Sequence, residues 1–236
     1  MIKKITGLVV KEIAYKDTSK IIDILTKDGI YSVIAKGAKK VKSPLFLGTT
    51  FLSNSNFVIY EKESLSTLKS VDVVNGYKNI IRDIKRISAS TYLVNLCIQV
   101  YKQNNNSEIF DLLLLGLEKI NNCLDVLAIV NIIEIKLLKY LGLKIHLDSC
   151  VVCGGNNITF LSIDYSGYLC NNCSKISMDK KVLKLIKVYD TIDLKKLDSF
   201  NVSSDIVGIL DRFIDEYYSK YTGLYLHGKK FFKDVL

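Results

Sequence analysis

Across roughly the first eighty residues, apolar and polar side chains alternate with a period of two, in short runs broken by glycine, asparagine and serine. The first strand predicted by this pattern covers residues 7–15. Residues 20–26 and 30–35 flank Lys27-Asp28-Gly29, where the Asp-Gly step tolerates the positive φ of a tight hairpin turn. Residues 46–52, 57–61 and 65–74 continue the alternation, with Ser53-Asn54-Ser55-Asn56 predicted as a loop. Five or six short strands in so short a span predict a small β-barrel. A five-stranded OB-fold is the natural candidate, and such barrels bind single strands across one face.

Beyond Gly76 the period lengthens to that of a helix. In residues 79–102, Ile80, Ile84, Ile87, Tyr92, Leu96 and Val100 fall close to one face. The run Gln103-Asn104-Asn105-Asn106-Ser107 breaks that helix, and Ser107 is placed to cap a second one over 108–120. A third helix spans 124–141, with Gly142 as its C-terminal stop. Residues 158–169 form two strands joined by a turn at Ser166-Gly167, and further helices cover 180–188 and 203–221. No internal repeat or low-complexity tract interrupts this order. The fold class is therefore α+β, with an OB-fold barrel over 1–78 and a helical domain over 79–236.

Cysteine placement adds chemistry to that outline. Cys150 and Cys153 make one C-x-x-C knuckle, Cys170 and Cys173 another, and the strands of 158–169 lie between them. Two thiolates from each knuckle suit one tetrahedral zinc ion, and Gly154 and Gly155 allow the sharp backbone path. The expectation is one structural zinc in a ribbon at about 148–175, inserted between helices. Structural disulfides or a redox pair are the competing readings. No secretory signal opens the chain, which predicts a reducing cytoplasm where disulfides are unexpected. Nothing around the knuckles resembles the βαβ setting of a redox motif. Cys97 and Cys123 sit in apolar, helix-like segments and read as core filler. The longest apolar stretch, 124–143, is interrupted by Asp125, Glu134, Lys136 and Lys139, so no membrane span is expected.

The net charge of +9 favours acidic partners, nucleic acid foremost. Only Arg82, Arg86 and Arg212 are arginines, so distribution tells more than the sum. Residues 1–80 hold thirteen lysines against seven acidic residues, and residues 29–60 hold no acidic residue at all. Within that window Lys36, Lys39, Lys40 and Lys42 cluster around Gly37, which predicts either a solvated loop or a mobile basic loop over a nucleic-acid groove. Lys11, Lys16 and Lys20 come from the first two strands or the turn between them and extend the same track if they share its face. Tyr15, Tyr31, Phe46 and Phe57 offer stacking, against the core role that strand aromatics usually take.

Catalytic constellations are not found. His146 precedes the knuckles, but four cysteines already complete a closed site, which leaves it as a surface or helix-end residue. Residues 223–230 spell most of a phosphate loop, yet Lys230 stands where the magnesium-binding hydroxyl belongs, and a helix-like segment precedes it instead of a strand. The rival classes are a zinc-ribbon scaffold that binds protein and a metal-dependent nuclease or hydrolase. The second lacks clustered catalytic carboxylates and histidines.

Taken in order, these features resemble the RecO family of bacterial recombination mediators. The resemblance rests on G-L-V-V-K-E-I-A-Y-K-D-T-S-K-I-I-D-I-L-T over 7–26 and K-D-G-I-Y-S-V-I-A-K-G-A-K-K-V-K-S over 27–43. The knuckles match the zinc-bearing members, and Y-T-G-L-Y-L-H-G-K-K-F-F over 221–232 resembles the basic-aromatic end of the family. Lys39 and Lys40 stand where the family often has arginine, keeping phosphate attraction but losing bidentate contacts. The resemblance implies a non-enzymatic protein that binds single- and double-stranded DNA, anneals complementary strands and helps load recombinase onto strands coated with single-strand binding protein (SSB). It also implies RecR and the acidic, aromatic-ended C-terminal tail of SSB as partners, and an association with the nucleoid. The tail pocket is expected within 80–236, with Arg86 and Arg212 as candidates for it against the surface ion-pair role that each more readily takes.

Overall fold

The computed structural model describes residues 1–62, 65–122 and 124–236. The chain divides into two compact units, one of residues 1–81 with 105–111, the other of 82–104 with 112–236.

The first unit holds a closed five-stranded barrel. Its strands are β1 (Ile2–Tyr15), β2 (Ser19–Thr26), β3 (Gly29–Ala35), β4 (Asn54–Tyr60) and β5 (Ser66–Asn75), in the order β1-β2-β3-β5-β4. All pairings are antiparallel except β3 with β5, where Val33 meets Ser66 and Ile34 meets Thr67. β1 closes the barrel because it is long enough to serve two neighbours. Its first half pairs with β4 and its second half with β2. Gly7 sits where the strand passes from one to the other, and a Cβ there would lie 2.6 Å from the Leu25 carbonyl oxygen. Ile5, Val9, Ile22, Ile24, Val33 and Phe57 fill the interior. This is the OB-fold expected from the period-two pattern.

Three local expectations fail here. The 46–52 segment is not a strand but a 3₁₀ turn at Leu47–Thr49. Gly48 lies so close to β5 that a Cβ would come 2.4 Å from a Val71 methyl carbon. The polar run read as a loop is instead the start of β4. Ser55 is fully buried there, and its hydroxyl shares a 2.8 Å hydrogen bond with Ser53. β1 also starts at Ile2, five residues before the predicted edge.

The second unit holds the rest of the helical structure. The helices of the chain are α1 (Ile84–Asn104), α2 (Glu108–Asn121), α3 (Val126–Leu137), α4 (Lys180–Thr191), α5 (Ser204–Tyr221) and α6 (His227–Asp234). α1 begins five residues later than predicted. Asp83 accepts from the Lys85 and Arg86 N–H groups at its start. At the start of α2, Asn106 Oδ1 accepts from the Glu108 N–H. Asp125 caps α3 by accepting from the Ala128 N–H, and a 3₁₀ turn then leads to Gly142 at φ 71°. Cys97 is buried in α1, and burial pushes its thiol pKa up. Cys123 lies outside the described residues. No helix is long and apolar enough to cross a membrane among those residues.

α6 was not predicted, and it carries a buried charge. Lys229, 3% exposed, donates to both carboxylate oxygens of Glu134 at 2.8 and 2.7 Å. It also lies 3.0 Å from Asp211 and 2.6 Å from Asp215, both on α5. Lys233, one turn on, pairs with the same two aspartates. Tyr92 of α1 donates to Glu134 Oε1, and Tyr218 donates to the Glu134 carbonyl at 2.8 Å. Desolvation pushes the Glu134 carboxyl above its usual range, against the pull of Lys229. The lysine itself resists desolvation because Glu134, Asp211 and Asp215 hold its proton.

Removing that ammonium strands the buried Glu134 carboxylate and leaves Asp211 and Asp215 to share Lys233. Lys229→Ala is expected to cost about 3–5 kcal/mol in urea unfolding. Lys230→Ala, one position along on the exposed side of α6, is expected to stay within about 0.5 kcal/mol. Equal costs for the two would show that the cluster does not hold the unit.

Candidate metal centre and nucleic-acid interface

Between α3 and α4 the chain makes a small ribbon. Its hairpin consists of β6 (Ile158–Ser162) and β7 (Gly167–Cys170), with Ser166 at φ 51° in the turn. The chain entering the first knuckle is tied alongside the start of β7. The His146 N–H donates to the Ser166 carbonyl, and the Tyr168 N–H donates to His146. Gly167 is required at that contact, since a Cβ would come 2.6 Å from the His146 oxygen.

The knuckles themselves are tight turns. The Gly154 N–H donates to the Cys150 carbonyl at 2.8 Å, with Gly154 at φ 74°, and the Cys150 N–H donates to Gly155 at 2.9 Å. In the second knuckle the Cys173 and Ser174 N–H groups both donate to the Cys170 carbonyl. These turns bring the Sγ atoms of Cys150, Cys153, Cys170 and Cys173 within 4.8 Å of one another, with Cys153 and Cys170 3.5 Å apart. Four thiolates about 2.3 Å from a central ion at tetrahedral angles lie roughly 3.8 Å apart. The donor set fits such an ion.

Electrostatics point the same way. Burial opposes ionisation of Cys150, yet backbone N–H groups of Cys170, Cys153 and Val152 outweigh it and draw the thiol down to about 6. Cys170 is also drawn down, by Cys153 and nearby backbone N–H groups against its burial. Cys173 is pushed up to about 12, first by its hydrogen bond with Cys153 and then by burial. Four acidic groups so crowded cannot all ionise without a cation among them. His146 stays outside the tetrad, exposed, with its Nε2 3.1 Å from the Ser149 hydroxyl.

The barrel lysines divide into two kinds. Lys20 is buried, with its ammonium 3.3 Å from Glu12 and over the Phe46 ring. That pairing removes it from the basic track expected of it. Lys11, Lys16, Lys36, Lys39, Lys40 and Lys42 are exposed, and among the described residues no carboxylate lies within ion-pair distance of any of them. Loop and turn are joined. The Lys39 N–H donates to Thr18 at 2.9 Å, and the Lys39 ammonium reaches the Lys16 carbonyl at 3.5 Å.

The loop is also more ordered than a mobile flap. Ala38 is buried in the barrel core, and successive turns close Lys40 on Gly37, Ser43 on Lys40 and Phe46 on Ser43. Gly37, at φ 72°, is needed for a left-handed turn, not for swinging. Of the aromatics, Phe57 belongs to the core, and Tyr15, Tyr31 and Phe46 are half-buried beneath Lys16, Lys3 and Lys20.

With this geometry in view, family models divide the chain much as the fold does. The recombination protein O N-terminal domain matches residues 1–77, and the recombination protein O C-terminal domain matches 81–230. The chain belongs to the RecO family. Relatives named DNA repair protein RecO match nearly end to end. The one from Exiguobacterium sibiricum is 30% identical over 100% of this chain and 98% of its own length. The one from Bacillus pumilus is 30% identical over 100% and 95%, and that of Listeria monocytogenes serotype 4b 29% over 99% and 94%. RecO membership and the thiol tetrad are independent observations. The first rests on the whole chain, the second on four atoms.

Purified protein is expected to carry one zinc per chain, measured by elemental analysis. Cobalt exchanged into the site should give the visible absorption of a tetrahedral four-thiolate centre. Cys150→Ser should lose the metal and lower the stability of the ribbon-bearing unit while the barrel stays folded. Metal-free, fully reduced protein of unchanged thermal stability would refute the assignment.

Proposed function

We propose that this chain acts in DNA repair and recombination as a mediator that binds DNA and performs no covalent chemistry on it. The observation that carries the reading is the set of exposed lysines without carboxylate partners at 36–42, joined through Lys39 to the turn at Lys16. An ammonium already paired in the fold has little left to offer a phosphate, whereas these have no such competitor. On this reading Lys11, Lys16, Lys36, Lys39, Lys40 and Lys42 hold the backbone of single- or double-stranded DNA, and Lys20 stays with Glu12 as part of the barrel. Lysine point charges read no base edges, so binding is largely independent of sequence.

Binding two strands by their backbones leaves the bases free to pair, which is the physical basis proposed for annealing and for delivery of recombinase to SSB-coated strands. RecR and the C-terminal tail of SSB are the proposed protein partners, in line with RecO membership. The zinc ion, held by Cys150, Cys153, Cys170 and Cys173, is structural. Full thiolate ligation leaves it no open position for substrate.

Each phosphate neutralised releases a counterion, so log affinity for single strands falls with log salt by roughly 0.7 per contact. Replacing Lys36, Lys39, Lys40 and Lys42 together by alanine is therefore expected to flatten that slope by roughly 2 to 3 units if all four make contact. Titrating a fluorescent oligonucleotide across salt, wild type against the variant, provides the measurement. An unchanged slope in a folded variant would place the DNA elsewhere.

A further inference from the structure

The loop over 36–47 turns some of its apolar side chains inward and leaves others out. Ala38 is buried in the barrel core, and Leu45 packs against that core. Val41 and Leu47 do neither, and stand 80% and 70% exposed. Ordered backbone holds both of them there. Val41 lies inside the turn that the Ser43 N–H closes on the Lys40 carbonyl at 2.8 Å. Leu47 opens the 3₁₀ turn whose next two residues, Gly48 and Thr49, are buried, and the Thr49 hydroxyl donates to the Leu45 carbonyl at 2.7 Å. Pro44, exposed between them and the only proline of the chain, fixes its own φ.

We propose that Val41 and Leu47 are apolar contacts for unpaired bases, and that they give the loop a preference for single-stranded over double-stranded DNA. This role rests on the reading of Lys36, Lys39, Lys40 and Lys42 as phosphate contacts, and adds to it the side chains that touch the bases.

The occupant follows from what surrounds the two side chains. Val41 stands directly between Lys40 and Lys42, both exposed and with no carboxylate within ion-pair distance among the described residues. A ligand for such a surface is charged along its length and apolar beside each charge. An open strand has that composition, with phosphates for the ammonium groups and flat base faces for the aliphatic ones. In a duplex those faces are stacked on one another, and an apolar side chain reaches them only by prying a step apart. Leucine and proline are among the side chains that proteins insert in that way. The same contact therefore costs unstacking on a duplex and much less on an open strand.

Aromatic side chains are the usual platform for bases, but those nearest the loop lysines are covered. Tyr15 and Phe46 are half-buried, with the Lys16 and Lys20 ammonium groups 5.4 and 5.2 Å from their ring centres. Tyr31 lies under Lys3 in the same way. In the loop, Val41, Pro44 and Leu47 are what a base can meet. Their rigid setting leaves little ordering cost when it does.

The test separates apolar contact from charge. Affinity of the full-length, metal-loaded protein is measured across salt by fluorescence anisotropy, with a labelled, unstructured single strand and with the blunt duplex it forms with its complement. Val41→Ser combined with Leu47→Ser is expected to weaken single-strand binding about tenfold and duplex binding less than about twofold. The salt slope on single strands should stay as in the wild type, because no phosphate contact is lost. Val41→Leu should keep wild-type affinity. So should Ile2→Ser, which removes a side chain 65% exposed at the opposite end of β1 from Lys16. Both loop positions are exposed, and thermal melts monitor folding. If the double variant does not fold, Val41→Ser decides alone, with a loss of about threefold expected. Unchanged single-strand affinity would overturn the proposal, and so would equal losses on strand and duplex. A flatter salt slope would overturn it by showing that the change acts through the lysines. A shift of oligomeric state in Val41→Ser would make the loop an interface between copies and equally overturn it. An unchanged slope in the quadruple lysine variant would remove the premise, and the base contacts with it. A flattened slope there, with no effect at Val41 and Leu47, would remove the base contacts alone.

Discussion

A lysine ammonium almost wholly out of water is tolerable only among carboxylates, and Lys229 meets that condition with three of them. The second unit depends on this one contact. It draws α6 onto α3 and α5 and fixes the Glu134 carboxylate for Tyr92 of α1. Lys233 offsets the remaining negative charge at the partly exposed edge. None of the partners is expendable, because each is what makes burial of the others affordable. An apolar core would serve stability as well, but it would not dictate which helix meets which.

The same rule applies at other charged sites in the molecule. Where a cation goes inside, as Lys20 does, it finds Glu12. Where four thiols crowd together, two are drawn towards ionisation and two are pushed away from it, because neighbouring thiols compete to lose their protons. Some of the lysines left without carboxylates stand in groups. Four lie between residues 36 and 42, and three more on the exposed face of α4. Both groups stand on ordered backbone, one anchored by Ala38 in the barrel core, the other by a helix whose inner face is fully packed. Unspent charge on a rigid support is available to a partner without the entropy cost of first ordering a loop.

How much of this was legible in the sequence follows from which physical rules are local. Alternation at period two and the Asp-Gly turn are local, and they gave the barrel. C-x-x-C spacing is local too, and it identified the tetrad. The misreadings came where a residue type behaves against its default. Ser53 and Ser55 are polar yet buried, satisfying each other, so a strand start looked like a loop. Apolar 46–52 looked like a strand but lies as a turn against β5, its Leu52 buried at φ 66°. Lys229 sits in a Lys-Lys-Phe-Phe stretch that gives no hint which lysine is inside, because its partners are as many as 95 residues away. Glu134, in a helix otherwise polar only at Asn131 and Lys136, was the available signal. A carboxylate there demands a cation from somewhere.

For RecO membership to become a mechanism, DNA must meet the barrel where the unpaired lysines stand. The most direct measurement is photochemical crosslinking of a bromodeoxyuridine-substituted single-stranded oligonucleotide to the full-length protein, with the attachment sites mapped by mass spectrometry. The account predicts crosslinks concentrated within residues 11–16 and 36–47. Crosslinks confined to residues 82–236, with the barrel unlabelled, would contradict it.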